Sequence, residues 1–273
     1  MVPGRVPTHW VDLDCGRDVV VKSFRSWGRG EPGREWAALT LLADHEPGLS
    51  PEPVSADLAG EPPVIEMSRL PGLPLGGGPV SAKQAAGLVH ALGRLWHAVP
   101  PAAVTEAYGP LCLCAGFAGQ VRAMQATAAG LDAGQAVRRA AEAGADWLAS
   151  GRAGEAERCE VVLGHGDPNL ANFLWDGTQI RIVDFEDSGP SCRAFDLAIL
   201  VEHRSAWAEC GLDADRFLAS FSLTPAELTA LADYRRLAAL YWLLKLSPGH
   251  QPGNPDRHDT LTSHATRLLT LLR

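Results

Sequence analysis

The chain has 273 residues, 46% hydrophobic and 21% charged, enough to bury a sizeable core in one large domain or in two lobes that share a cleft. Its formal net charge of −8 argues against nucleic acid as a partner, because phosphate neutralisation needs basic stripes. No apolar run of about 20 residues could span a bilayer, and the N-terminus lacks the basic start and apolar core of a signal peptide. No membrane partner is therefore expected, and the expected location is the cytoplasm. The six cysteines are scattered; without paired C-x-x-C spacing or a neighbouring histidine they read as free thiols, not zinc ligands.

In chain order, His9 to Leu13 and Asp18 to Phe24 read as a hairpin turning at Cys15-Gly16-Arg17. A Gly/Pro-rich connection (27–33) leads into a helix carrying Trp36, Leu39, Thr40 and Leu42 that stops near His45-Glu46-Pro47. Pro62 to Leu70 reads as a strand, and 71–80 as a loose break. Ser81 with Gln84 forms a capping box, and Leu88, Leu92, Leu95 and Trp96 then mark one helical face. Further helices are expected at about 112–128 and 132–150. Thr224-Pro225-Ala226-Glu227 is a second capping box, with proline at the first helical position, opening a long apolar helix through Leu246. The stretch Ser247 to Asp259 reads as a loop. The layout is a β-rich front of about 70 residues (1–70) and a larger helical back (71–273).

The chemistry concentrates in 164–186. Asp176-Gly177 between apolar runs predicts a two-residue hairpin turn. Pairing outward from it sets Trp175 against Thr178 and Asn172 against Arg181, and places Asp184 opposite Asn169, beside the loop holding Asp167. Asp167, Asn172 and Asp184 should thus converge. Two carboxylates and a carboxamide oxygen are hard ligands suited to Mg²⁺. A carboxylate beside the metal can also orient an attacking hydroxyl and accept its proton, and Asp167, in the loop, suits that role.

The spacing His165-x-Asp167-x-x-x-x-Asn172, then a hairpin, then Val183-Asp184-Phe185 resembles the catalytic and metal motifs of the aminoglycoside phosphotransferase and choline kinase superfamily. The resemblance implies a two-lobed, protein-kinase-like α+β fold with ATP or GTP held between the lobes. It extends to Val19-Val20-Val21-Lys22, similar to the family's strand bearing the phosphate-holding lysine, and to Arg34-Glu35-Trp36, similar to the helix whose glutamate pairs with that lysine. Met67-Ser68-Arg69-Leu70 resembles the hinge, where the backbone of Ser68 and Leu70 would meet the nucleobase, and Ala194-Phe195-Asp196 resembles the segment whose aspartate braces the catalytic loop. Carried over, Asp167 is the base, Asn172 and Asp184 hold metal, Lys22 and Glu35 position phosphates, and His165 and Asp196 are supports.

The chain departs from the family pattern in front of Lys22, where Gly4 and Gly16 are the only glycines and no phosphate-covering G-x-G-x-x-G exists; residues 3–10 would have to serve. Glu186 stands in place of the glycine of Asp-Phe-Gly, so that it and Asp187 add charge beside the metal site. Protein kinase activity is disfavoured, since Asn169 stands where a lysine steadies the γ-phosphate in Ser/Thr kinases. In the family the C-terminal helices build the acceptor pocket; candidates here are Glu202, His203, Trp207, Asp233, Tyr234, Tyr241 and Trp242, while Glu186 and Asp187 could bind further metal or a cationic substrate, or be solvated. A cationic small-molecule acceptor fits the acidic composition, which is equally that of an ordinary solvated surface. The expectation is a small-molecule kinase acting on an aminoglycoside-like or other amine- or sugar-type hydroxyl, in resistance or in metabolism. The competing classes are a nucleotide-binding pseudokinase and a metal-dependent hydrolase built on His165, Asp167 and Asp184. The sequence leaves the acceptor, the choice between ATP and GTP, and the oligomeric state open.

Overall fold

Strands β1 (His9–Asp14) and β2 (Val19–Phe24) form the expected hairpin in a computed structural model that describes residues 9–14, 16–127, 134–151, 160–247 and 257–273. With β3 (Pro53–Asp57) and β4 (Val64–Ser68) they make an antiparallel sheet in the order β1-β2-β4-β3. Lys22 lies opposite Ile65 and shares a strand face with Val20 and Phe24. A lysine on the buried side of a strand costs desolvation unless carboxylates meet it, so its placement already points to function. Helix α1 (Glu31–His45) follows Gly30, whose φ of 80° suits glycine, and buries Glu35, Ala38, Leu39 and Leu42 against this sheet.

The segment expected to be a loose break contains a short strand, β5 (Leu73–Pro74). Both capping boxes form, at the starts of α2 (Ala82–Ala98) and of the later long helix. Between them run α3 (Pro101–Tyr108), α4 (Leu113–Thr127), α5 (Gln135–Ala149) and four short strands: β6 (Val162–Gly164), β7 (Phe173–Trp175), β8 (Ile180–Ile182) and β9 (Gly189–Ser191). Strand β5 pairs with the β7–β8 hairpin, and β6 with β9. Helix α6 (Arg193–Glu202) is buried from Ala194 onward and packs along α8 (Pro225–Lys245), with the short α7 (Ala214–Leu218) between them in chain order. Helix α9 (Arg257–Leu271) was not anticipated; it occupies the end of the stretch read as a loop, of which 248–256 lie outside the described residues. It packs on α5 and α8, where Gly144 lets Leu240 and Leu268 approach so closely that an added Cβ would sit 2.8 Å from a Leu240 methyl. The whole is a two-lobed α+β arrangement, a small antiparallel sheet joined to a larger helical part.

Two expectations need correction. Cys112 and Cys114 are bonded as a disulfide, not free; Cys192 and Cys210 are free and buried. The β7–β8 hairpin is shifted by two residues: Trp175 faces Ile180 and Leu174 faces Arg181. The cause is the side chain of Asp176, whose Oδ1 accepts from Thr178 N (2.8 Å), Thr178 Oγ1 (2.7 Å) and Gln179 N (2.9 Å) and widens the turn to four residues. A slip of two preserves which side chains share a face.

Candidate active site

The ammonium of Lys22 lies between three carboxylates: Glu35 Oε2 at 2.8 Å, Asp184 Oδ1 at 2.5 Å and Glu186 Oε2 at 3.2 Å. Lys22 is 3% exposed and Glu35 0%. Burial alone would lower the lysine's pKa, but Glu35, Asp184 and Glu186 together outweigh it and hold the ammonium above its ordinary range. Glu35, wholly enclosed, is pushed up by burial against the opposing pull of Lys22. Glu186 does not face an acceptor: it is buried, and His9 Nδ1 meets its Oε2 at 2.9 Å. Asp187 pairs with Arg29 (3.1 Å) and Arg34 (3.5 Å).

The loop carrying Asp167 is pinned to the strand preceding Asp184. The ring nitrogens of His165 each lie 2.8 Å from a backbone carbonyl, those of Asp167 and Val183. The Val183 N–H donates to the Asn172 carbonyl at 2.9 Å. Val183 is thus held at both its N–H and its C=O, and Asp184 emerges beside the loop with a φ of 69°. That left-handed conformation costs a non-glycine residue roughly 1–2 kcal/mol and is kept where the surroundings enforce it. Gly166 has φ 81°, and an added Cβ would lie 1.9 Å from the Asp187 carbonyl, so only glycine fits there. On the loop itself, Asp167 Oδ1 accepts from Asn169 N (3.0 Å) and Oδ2 from Asn172 Nδ2 (3.1 Å). Burial raises the pKa of Asp187, and the nearby charge of Asp167 adds to the rise while Arg29 opposes it.

With Nδ2 of Asn172 turned to Asp167, its carbonyl Oδ1 is the atom left for a cation. Asn172 Oδ1 and the Asp184 carboxylate are hard oxygen donors, the ligand type that Mg²⁺ takes. The grouping of His9, Asp184 and Glu186, whose ligand atoms lie within 4.8 Å of one another, adds one nitrogen already bonded to Glu186. His165, with both nitrogens on backbone carbonyls, is not free to ligate a metal, which removes the basis of the hydrolase reading.

Other expected residues fall elsewhere. The Ser68 N–H donates to the Glu52 carbonyl (2.9 Å) and its hydroxyl accepts from Glu52 N (2.9 Å), closing β3 on β4; of the Ser68 backbone, the carbonyl is the group left to meet a nucleobase. Leu70 lies beyond the end of β4. Asp196 is buried and accepts from Ser191 Oγ (2.5 Å) and Trp96 Nε1 (2.9 Å), so it braces β9 and α2 instead of bonding the catalytic loop directly. Burial, partly offset by Ser191 and Trp96, raises its pKa to about 6. Glu202 is fully buried and clamped by Arg235 (2.7 Å) and Arg267, so its carboxylate is committed to an internal ion pair, not to an acceptor. Asp233 pairs with Arg236 at 2.7 Å. Trp242 packs edge-on to His203 (4.7 Å), and Lys245 sits 5.0 Å over its ring. Trp207 lines a cavity of about 530 Å³ with Asp213, Arg235, Ser263 and Arg267, and neither Asp167 nor Asp184 belongs to that lining. In the sequence His9 falls in the segment expected to cover the phosphates and Trp96 on the apolar face of a helix; the bonds that His9 makes to Glu186, and that Trp96 and Ser191 make to Asp196, carry no local signal.

The chain matches the model of the phosphotransferase enzyme family over residues 7–258. No curated protein sequence matches it. Among solved structures it is similar to a choline/ethanolamine kinase family protein from Mesorhizobium loti (18% identity, 98% of this chain and 86% of that one, TM-score 0.68). It is also similar to the choline kinase LicA from Streptococcus pneumoniae (16% identity, 99% and 91%, TM-score 0.63) and to aminoglycoside phosphotransferase APH(2'')-Ib in its ADP-bound form (14% identity, 98% and 90%, TM-score 0.63). These likenesses are of fold, and they agree with the small sheet and larger helical part described above. The chain therefore belongs to the phosphotransferase enzyme family, kinase-like enzymes whose acceptor is a hydroxyl group.

Proposed function

We propose that the protein moves the γ-phosphoryl of ATP, with Mg²⁺, onto a hydroxyl of a small amine- or sugar-bearing acceptor, with residues 1–70 as the nucleotide lobe and 71–273 as the lobe of catalysis and acceptor binding. The observation that carries this reading is the ion cluster in which buried Lys22 joins Glu35 to Asp184, while Asp184 is pinned beside Asp167 through Val183. Lys22 would hold the α- and β-phosphates, and Glu35 would keep its ammonium aimed. Asn172 and Asp184 would hold the metal, which when bound supplies positive charge to the phosphate oxygens. The hinge contacts to the nucleobase would come from the Ser68 carbonyl and the Leu70 backbone.

Asp167 accepts the hydroxyl's proton as the acceptor oxygen bonds to the γ-phosphorus and the bond from phosphorus to the β,γ-bridging oxygen breaks, leaving ADP. Catalysis of this kind is mainly positioning and charge neutralisation around a loose transition state. Asn169 and Asn172 keep both Asp167 oxygens oriented without protonating them. The residues expected to cover the phosphates, 3–10, lie outside the described residues except for His9 and Trp10, which begin β1.

The test is a nucleotide-consumption screen with Mg²⁺, offering ATP and GTP in separate arms against aminoglycosides, other amine-bearing antibiotics, amino alcohols and sugars. Acceptor-dependent release of ADP is expected. Thermal stabilisation by nucleotide with no turnover in any arm would instead favour the pseudokinase.

A further inference from the structure

We propose that Arg34, Tyr108 and Ser188 form a clasp that positions α1, and through Glu35 sets the geometry of Lys22; the proposal rests on the reading of Lys22 as the phosphate-holding residue. Three separate stretches of chain meet there. From α1, Arg34 Nε donates to the Glu186 carbonyl at 2.8 Å, and its Nη2 lies 3.5 Å from Asp187 Oδ1. From α3, the Tyr108 hydroxyl donates to the Arg34 carbonyl at 3.1 Å. From the segment after Asp184, Ser188 Oγ lies 2.9 Å from the Tyr108 oxygen and 3.4 Å from the Arg34 carbonyl. Arg29 closes the rim, bonding Asp187 at 3.1 Å while its carbonyl accepts from Arg34 Nη1 at 2.6 Å.

The Arg34 carbonyl is part of the peptide unit that joins Arg34 to Glu35, so the two hydroxyls hold the backbone from which Glu35 projects. Glu35 needs such a hold. Its carboxylate is fully buried, and a buried carboxylate gains free energy if the helix swings it toward water. The Lys22 pair opposes that motion on one side, and the clasp opposes it on the other by tying α1 to the segment that bears Asp184. Tyr108, whose pKa is raised by burial, places its only polar atom on this backbone carbonyl and on Ser188. These are positioning residues: they reach the phosphates only through Glu35 and Lys22.

Calorimetric titration with Mg²⁺ and ADP tests this on the full chain, for wild type, Tyr108→Phe and Ser188→Ala, each also in a Lys22→Ala background. Thermal melts and hydrogen exchange of α1 are recorded beside it. Losing one hydroxyl should weaken ADP about three- to tenfold, the size of one hydrogen bond, and the loss should vanish in the Lys22→Ala background because the coupling runs through that residue. Exchange in α1 should rise in Tyr108→Phe while α2 is unchanged. ADP affinity equal to wild type, or the same loss with and without Lys22, would overturn the clasp. So would unchanged exchange in α1, whether or not the wild type binds ADP. A wild type that binds no ADP while α1 exchange still rises would sink the reading of Lys22 and leave the mechanical clasp standing.

Discussion

Asn172 donates its Nδ2 to Asp167 Oδ2 across 3.1 Å, so the residue proposed to share in holding the metal also orients the proposed base. Removing the carboxamide should therefore be felt twice. Asn172→Ala is expected to lower kcat about 10- to 100-fold, the range seen when groups that orient metal ligands are lost, and to raise the Mg²⁺ concentration giving half-maximal rate. Initial rates across a Mg²⁺ series check both effects, and an unchanged Mg²⁺ requirement would remove Asn172 from the metal site.

Lys22 and Glu35 should be more sensitive to losing one partner than both. Lys22→Ala leaves the enclosed Glu35 carboxylate without its closest cation, a change that costs about 3–5 kcal/mol when a buried pair is broken from one side. Lys22→Ala with Glu35→Gln should regain most of that stability in denaturant unfolding while remaining inactive. A double variant no more stable than Lys22→Ala would show that Glu35 is not charged in the fold.

Two buried groups make opposite contributions to acid stability. Asp196 is raised to about 6 by burial, so its contribution is full below its unfolded value near 4 and is lost as pH rises through 6. His264 is lowered to about 4 by burial and by the neighbouring Arg204, Arg267 and His203; its contribution is full above about 6.5 and is lost as pH falls toward 4. The two slopes offset each other in the wild type. In Asp196→Asn the carboxamide can accept from Trp96 and donate to Ser191, so the packing is kept and the carboxylate's burial penalty is gone. That variant should match the wild type near pH 4 and exceed it at pH 7 by up to ~3 kcal/mol, two pKa units at about 1.4 kcal/mol each, unmasking the acid slope due to His264. Chemical unfolding between pH 4 and 7.5 measures this; a variant strongly destabilised at pH 7 would mean that charged Asp196 is itself needed.

The sequence carried the chemistry where the signal was local. His165, Asp167, Asn172 and Asp184 lie within 20 residues and converge because a hairpin folds them together, and the capping boxes at Ser81 and Thr224 are four-residue patterns that formed as written. Side-chain chemistry inside a turn was harder to see: Asp-Gly suggested two loop residues, but Asp176 captured Thr178 and Gln179 and moved the register by two. Distance in sequence hid the rest. Glu186 reads as added charge beside the metal site, open to metal, a cationic acceptor or solvent, until His9, 177 residues earlier, closes on it. Glu202 reads as an acceptor ligand until Arg235 and Arg267, 33 and 65 residues later, take its oxygens. Leu73-Pro74, in a stretch rich in glycine and proline, becomes a strand only because the β7 edge is there to receive it.

The account turns on Asp167. Its two oxygens are held by Asn169 and Asn172, and it makes no ion pair that folding depends on among the described residues. The most direct measurement is turnover of Asp167→Ala with ATP, Mg²⁺ and an acceptor found by the screen, taken together with its ADP affinity and melting temperature. Turnover should fall roughly 10²–10⁴-fold while ADP binding and melting stay close to wild type. Turnover near the wild-type value in a folded, ADP-binding Asp167→Ala would contradict the assignment of the base.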